Sequence, residues 1–194
     1  MVKLTGIKKF TTAIFISGNG SNMKHLIKFS KTKNSPIIVD LVLSSNRYAK
    51  GIDYLKKNKI NFKIFDFKKK DKDEKKILEI LKKRQTHLIC LAGFMKILSK
   101  NFIKKFNGKI LNIHPSLLPN YKGLNTHERV LANKEKFSGC TVHLVNSKLD
   151  SGKIIMQKKI RINKKDDLKS LTKKILKQEH LLYPRAIKKL ISKS

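Results

Sequence analysis

The sequence predicts an α/β fold: a doubly wound, mostly parallel open sheet with helices on both faces. Two observations carry that expectation. Across the first half of the chain, short apolar runs alternate with stretches of helical periodicity, the pattern of strand–helix–strand units. One run, Leu88-Ile89-Cys90-Leu91-Ala92, has no polar residue, as a strand covered on both faces requires. The 194 residues, 40% of them hydrophobic, suffice for one domain with a sizeable core and would make two cramped.

Taken in order, residues 1–12 are polar and irregular and are expected to form a flexible N-terminal arm, with a single domain over 13–194. Ala13–Ile16 is a β run, and Ser17-Gly18-Asn19-Gly20-Ser21-Asn22 leads into a helix from Met23. Strand, glycine-rich turn and helix in that order suit a phosphate cradle, because free N–H groups at a helix start bind anions. The same residues also fit a plain tight turn. A strand is expected over 36–43, a helix over 48–58 and a strand over 61–67. After a basic turn at Lys68–Asp71, Ile77, Leu78, Ile80 and Leu81 mark a helix over 73–84. The apolar strand at 87–92, a segment Gly93–Leu98 and a short helix over 100–106 follow.

The second half holds a strand from Ile110, a helix to about Asn133, a strand over 141–145, a turn-rich loop Asn146–Gly152 and an alternating strand over 154–162. A closing helix runs from Asp166 to Leu190, with Pro184 placed to bend or split it. There is no internal repeat and no linker.

The net charge of +33, from 46 basic against 13 acidic residues, invites a nucleic-acid reading. The lysines, however, recur from Lys3 to Lys193 instead of gathering on one segment, and arginine, the usual reader of phosphates and base edges, is scarce. No helix-turn-helix, zinc spacing or aromatic RNA-binding motif is present, so a solvated lysine coat that steers anions is expected, with no specific nucleic acid. No apolar run reaches the roughly 20 residues that cross a bilayer, and Ala13–Ile16 is too short for a signal-peptide core. Cys90 and Cys140 have no metal-ligand spacing and read as reduced thiols of a cytoplasmic protein.

The stretch Ile110-Leu111-Asn112-Ile113-His114-Pro115 is the strongest chemical signal. Residues two apart on a strand share a face. Asn112 and His114 therefore point together where Pro115 ends the strand, a place where open α/β sheets bind ligands. A core strand with a satisfied histidine is the bland alternative.

SGNGSN at 17–22, LAGFMKIL at 91–98, NIHPSLLP at 112–119, HLVNSKLDSG at 143–152 and QEHLLYP at 178–184 together resemble the phosphoribosylglycinamide formyltransferases of purine synthesis, from about residue 13 to 191. The resemblance implies a Rossmann-like formyltransferase fold and transfer of a formyl group from 10-formyltetrahydrofolate, as co-substrate without a metal, to the amine of glycinamide ribonucleotide. It implies Asn112, His114 and Asp150 as the catalytic trio, with His143 in support. Gly20, Ser21 and Asn22 would hold the ribonucleotide phosphate and Glu179 the glycinamide part. Folate would meet Met95, Lys96, Ile97 and Leu98, largely through backbone groups, together with Asn112 and the loop Asn146, Ser147, Lys148, Leu149 and Asp150. Lys70 aligns with an arginine on the folate tail and lacks its bidentate fork. Asn125 replaces a common histidine, Tyr121-Lys122-Gly123 a usual YPG, and Leu176 a glutamine of some relatives. A monomer or weak homodimer is expected.

In this reading the trio assists amine attack on the formyl carbon, with Asp150 favouring the cationic form of His114. A methionyl-tRNA formyltransferase core and a formyltetrahydrofolate deformylase share parts of the pattern. The first would carry a further C-terminal domain, and the second an N-terminal regulatory domain and a doubled histidine where His114-Pro115 stands. A non-enzymatic nucleic-acid binder would explain the charge but not the trio. A zinc cluster of His114, His127 and His143, or a Ser116 nucleophile, lacks its supporting residues.

The charge reading is testable. Raising salt should lower kcat/KM modestly and leave kcat nearly constant, because steering acts before the chemical step. A tight, sequence-specific RNA complex at physiological salt would contradict it.

Overall fold

Strands form where the apolar runs lie, and their alternation sorts the two faces of the sheet. The computed structural model describes residues 9–192. In chain order the elements are β1 (Phe10–Ile16), α1 (Ser21–Ser30), β2 (Ile37–Ser44), α2 (Gly51–Lys57), β3 (Phe62–Ile64), α3 (Lys70–Lys83) and β4 (Leu88–Leu91). Then come α4 (Lys100–Lys105), β5 (Lys109–His114), α5 (Thr126–Ala132), β6 (Phe137–Leu144), β7 (Ile154–Arg161) and α6 (Leu168–Ile191). The strands make one seven-stranded sheet in the order β3-β2-β1-β4-β5-β6-β7. The first five are parallel, while β6 runs antiparallel to β5 and β7 antiparallel to β6.

Period-two alternation puts Ile14, Ile16, Leu111 and Ile113 on one face, against Met23 and Leu26 of α1, Val130 of α5 and a long apolar stripe of α6. Ala13, Phe15, Ile89 and Leu91 face the other way, onto Ile77 and Leu81 of α3 and Phe102 of α4. Helices therefore cover both faces, as expected. The chain winds outward from β1 in both directions, so β1 and β4 flank the point where strand order reverses. Loops leaving the carboxyl ends of neighbouring strands splay apart there and open a crevice.

Several boundaries differ from the sequence reading, each for a local reason. β1 begins at Phe10, and Phe10, Thr11 and Thr12 pair with Ile37, Ile38 and Val39, so residues 10–12 of the expected arm are strand; residues 1–8 lie outside the described residues. α3 starts at Lys70, inside the expected basic turn. Its Asp71 and Asp73 sit in the first turn, where carboxylates favour the positive end of a helix. β3 is cut to three residues; Phe67 then turns left-handed at φ 60 and buries its ring in the second core layer. β6 starts four residues early, through Ser138-Gly139. A Cβ at Gly139 would run into the Lys158 carbonyl of β7, so the glycine marks a close backbone approach and not a break. α6 stays continuous through Pro184 and opens with a reciprocal Asp167–Ser170 capping box.

α6 is fastened to the sheet by one buried hydroxyl. Tyr183, 1% exposed, donates to the carbonyls of Leu91 at 3.1 Å and Leu111 at 3.0 Å, joining β4 and β5 just below the crevice. Tyr183→Phe should cost about 1 kcal/mol, read as a lower urea midpoint with an unchanged slope. No loss of stability would show that the ladder bonds alone hold this junction.

Candidate active site

The loops after β1, β4 and β5, joined by the β6–β7 loop and the inner face of α6, enclose a cavity of about 880 Å3, at the upper end of ordinary small-molecule sites. One part of its wall is polar: Gly18 to Asn22 and Glu179. Another is apolar: Phe94, Met95, Ile97, Leu98, Ile103 and Val145.

The polar part is built by Gly20, which takes φ 67 as the N-cap of α1. A Cβ there would lie 2.9 Å from Met23 Cε and 3.2 Å from Gly51 Cα, so only glycine fits the turn. No side chain caps α1, so the N–H groups of its first turn, from Ser21 on, have no acceptor within the helix and stay available to an anion. Asn22 donates its amide to Glu179 Oε2 at 2.7 Å, while Asn22 Oδ1 is buried without a partner. Burial, only partly offset by that hydrogen bond, pushes the Glu179 carboxyl up to about 7. Ser17 Oγ contacts Ser45 Oγ at 2.6 Å and accepts from the Met95 N–H at 2.7 Å. It thereby ties the glycine turn to the apolar wall.

Asn112, His114 and Asp150 meet as expected. Strand pairing sets Asn112 opposite His143 and His114 opposite Thr141. Asp150 arrives from the β6–β7 loop in a left-handed conformation at φ 45. A Cβ at Gly152 would strike the Leu144 carbonyl, so that glycine lets the loop fold back over β6 and aim the carboxylate inward. Asp150 Oδ2 lies 3.4 Å from His114 Nδ1 and accepts from the Gly123 N–H at 2.9 Å. Asp150 Oδ1 lies 3.7 Å from His143 Nε2 and 3.5 Å from Asn112 Nδ2.

Hydrogen bonds fix both imidazoles. His114 Nε2 faces the Tyr121 carbonyl at 2.8 Å, which can only accept, so the proton of the neutral ring sits on Nε2 and Nδ1 is free towards Asp150. By the same argument His143 Nδ1 donates to the Leu144 carbonyl at 2.9 Å, and its Nε2 accepts from Asn112 Nδ2 at 3.2 Å.

Burial lowers the His114 pKa, and the Tyr121 carbonyl and Asp150 charge that raise it do not make up the difference. Asp150 favours the cation as expected, but desolvation outweighs it and holds the imidazole below the ordinary histidine range. Burial raises Asp150 in turn, but His143, the Gly123 N–H and the His114 charge outweigh it and hold the carboxyl below its ordinary range. Burial pushes the thiols of Cys90 and Cys140 up to about 12, so neither offers a thiolate. Among the described residues no group of three or more His, Cys, Asp or Glu could hold a metal ion.

The remaining expected site residues divide. Ser21, Lys96, Asn146, Ser147, Lys148 and Leu149 line the cavity with those already named, and Leu176 stands in its wall. Lys70 does not line it. It opens α3, because the helix absorbs the turn in which Lys70 was read. Within the Met95–Leu98 segment the Met95 N–H is donated to Ser17 Oγ. Missed in the sequence were the Tyr121 carbonyl and the Gly123 N–H. Gly123, at φ 80, carried a weak signal as a glycine in a polar loop, and the carbonyl carried none. His127 also lines the cavity, its Nδ1 buried and unpartnered. Two orphaned polar atoms on residues lining one cavity fit a ligand that brings its own hydrogen-bonding groups.

A doubly wound sheet with a glycine turn at its switch point and a histidine–aspartate pair on the same cavity has the layout of a small-molecule enzyme. The family model for formyl transferases matches residues 10–187, and the chain belongs to that family. It is 37% identical over 179 residues to the phosphoribosylglycinamide formyltransferase of Haemophilus influenzae, covering 91% of this chain and 84% of that protein. It is 38% identical over 188 residues to the trifunctional purine biosynthetic protein adenosine-3 of Bos taurus, covering 95% of this chain but 19% of that protein. The crystal structure of the Brucella melitensis phosphoribosylglycinamide formyltransferase superposes with a TM-score of 0.88 at 41% identity, covering 94% of this chain and 96% of that one.

Asp150→Asn removes a charge that raises His114, so His114 should titrate lower in the variant than in the parent, further below 6.5. A histidine-resolved NMR titration reads this directly. A higher value in the variant would contradict the pairing.

Proposed function

We propose that this chain is a phosphoribosylglycinamide formyltransferase, moving a formyl group from 10-formyltetrahydrofolate to the amine of glycinamide ribonucleotide in cytoplasmic purine synthesis. The observation that carries the reading is that one cavity is lined by an anion-binding helix start, an apolar wall and the His114–Asp150 pair. A phosphorylated amine suits the first, a flat pterin suits the second, and acyl transfer needs the third.

The chemistry follows from the geometry. A glycyl amine resembles an α-amino group, with a pKa of roughly 7.7–8.0, so a useful fraction is neutral and nucleophilic near pH 7. Amine attack on the formyl carbon builds negative charge on the formyl oxygen and acidity on the nitrogen. The Asn112 amide is the donor for the oxygen; such a donor is typically worth about 10²–10³ in rate. Its hydrogen towards Asp150, at the long distance of 3.5 Å, is the one a substrate can capture, while His143 retains the other and fixes the amide plane. His114 receives the amine proton at Nδ1, next to Asp150, whose charge stabilises the imidazolium as it forms. The same proton then goes to the departing folate nitrogen, a general acid–base contribution of about 10²–10⁴.

Gly20, Ser21 and Asn22 hold the phosphate through backbone N–H groups. Glu179 and the free Asn22 Oδ1 take donors of the glycinamide ribonucleotide. Met95, Lys96, Ile97 and Leu98 and the Asn146–Asp150 loop border the folate, and Lys70 meets the folate tail only if the ligand extends beyond the cavity wall. The protein works as a monomer or weak homodimer without specific nucleic acid.

The test is an absorbance assay for the folate product with glycinamide ribonucleotide present or omitted. Product only with the ribonucleotide is expected; product without it would mean a hydrolase, and none in either case would end the reading. His114→Ala should lower kcat by about 10²–10⁴ while KM for the ribonucleotide changes little, because the imidazole acts on groups that develop in the transition state. Near-full turnover in that variant would remove His114 from the mechanism.

A further inference from the structure

Both hydrogen bonds that set the His114–Asp150 pair from one side come from the loop between β5 and α5. Tyr121 offers its carbonyl to His114 Nε2, and Gly123 offers its N–H to Asp150. That loop is not at rest in its own preferences. Tyr121 and Asn125 are left-handed at φ 56 and φ 55, and Gly123 at φ 80. Residues with a Cβ keep such a conformation only where their surroundings impose it.

The surroundings are four side chains on the outer side of the loop. Arg129 of α5 donates through Nη1 to the Lys122 carbonyl at 2.7 Å and to the Leu124 carbonyl at 3.5 Å, the two residues that bracket Gly123. Its guanidinium lies 5.4 Å from the centre of the Tyr121 ring. The Tyr121 hydroxyl donates to Glu135 Oε1 at 2.6 Å and accepts from Asn133 Nδ2 at 2.9 Å. Tyr121, Arg129, Asn133 and Glu135 do not line the cavity. An exposed ion pair here would count for little. These contacts differ, because they end on backbone carbonyls and on a hydroxyl, and so hold positions rather than charges.

We propose that Arg129 and the Tyr121 hydroxyl, anchored by Asn133 and Glu135, are positioning residues that set the His114 tautomer and the Asp150 carboxylate from outside the cavity. With the Tyr121 carbonyl fixed, neutral His114 carries its proton on Nε2 and presents a bare Nδ1 to the reacting amine. With the loop released, the carbonyl drifts, the proton redistributes between the two nitrogens, and fewer molecules are competent. The kinetic consequence rests on the formyl-transfer reading; the tautomer does not. Arg129 also lowers the proton affinity of His114 by its charge, alongside His143 and burial, against Asp150 and the Tyr121 carbonyl. The tautomer, not the pKa, is therefore the clean readout.

The experiment uses the full chain labelled with 15N-histidine, at a pH where His114 is neutral, with its signals assigned by His114→Gln. The parent should show His114 protonated on Nε2. Tyr121→Phe and Arg129→Met should shift it towards a mixture and lower kcat by about three- to tenfold, less than the 10²-fold of a misplacement near 1 Å, with KM for both substrates within about twofold. Arg129→Lys should recover part of the loss, since an ammonium can still meet one carbonyl. An unchanged tautomer with unchanged kcat in both variants would overturn the proposal. So would a loss confined to thermal stability. A tautomer shift in a protein that transfers no formyl group would uphold the brace and refute the activity instead.

Discussion

The site depends on keeping one buried carboxylate charged. Asp150 is 9% exposed, and a carboxylate so placed would take up a proton unless donors replaced its water. Two N–H donors face it, the Gly123 N–H at 2.9 Å and the Asn112 amide at 3.5 Å, and the His114 and His143 rings stand beside it, so that three separate segments converge on the carboxylate. None is local to Asp150 in sequence, so the buried carboxylate stays ionised because β5, β6 and the β5–α5 loop are assembled around it together. The charge in turn orients each donor. Left-handed backbone occurs in several loops, and at Tyr121, Gly123 and Asp150 it falls on residues that build this pair.

What could be read from the sequence follows from which forces are periodic. Asn112 and His114 fall together because a strand repeats every two residues, and no tertiary information is needed to see it. The sheet with helices on both faces was legible for the same reason. Element ends were less so, because they answer to contacts far away in the chain: Phe10 becomes a strand residue by pairing with Ile37, and Gly139 by its approach to Lys158. The protonation of His114 was not legible at all. Sequence supplied the attractive partner, Asp150, whereas the opposing desolvation belongs to the packed site. Backbone donors and acceptors such as Gly123 and Tyr121 leave no trace in residue identity.

The lysine coat meets the site at few points. Lys96 and Lys148 are the lysines in the cavity wall. Elsewhere the coat rests on aromatic rings: Lys159 stands 3.9 Å from the Phe137 ring centre, Lys24 5.4 Å from Tyr54 and Lys188 5.5 Å from Phe29. Long stems covering apolar surface while their ammonium groups stay in water are an ordinary use of lysine.

Two buried carboxylates of the same cavity are driven in opposite directions, and the contrast divides their work. Asp150 has the Gly123 N–H, the Asn112 amide and two imidazoles around it, and its carboxyl is held below the ordinary range. Glu179 has Asn22 alone, and burial carries it up to about 7. Under the proposed activity this difference is useful. A fully charged Glu179 beside the glycinamide would stabilise the ammonium form, which cannot attack. A carboxyl near half protonation at neutral pH gives up much of that pull while still offering an oxygen to a hydrogen-bond donor. The charge that the reaction needs is kept at Asp150, where it acts on His114, and is withheld at Glu179, where it would hold the nucleophile's proton in place. Environments that push paired groups apart in this way assign acid–base roles, and here the assignment comes from the groups each carboxylate finds around it, not from the carboxylates themselves.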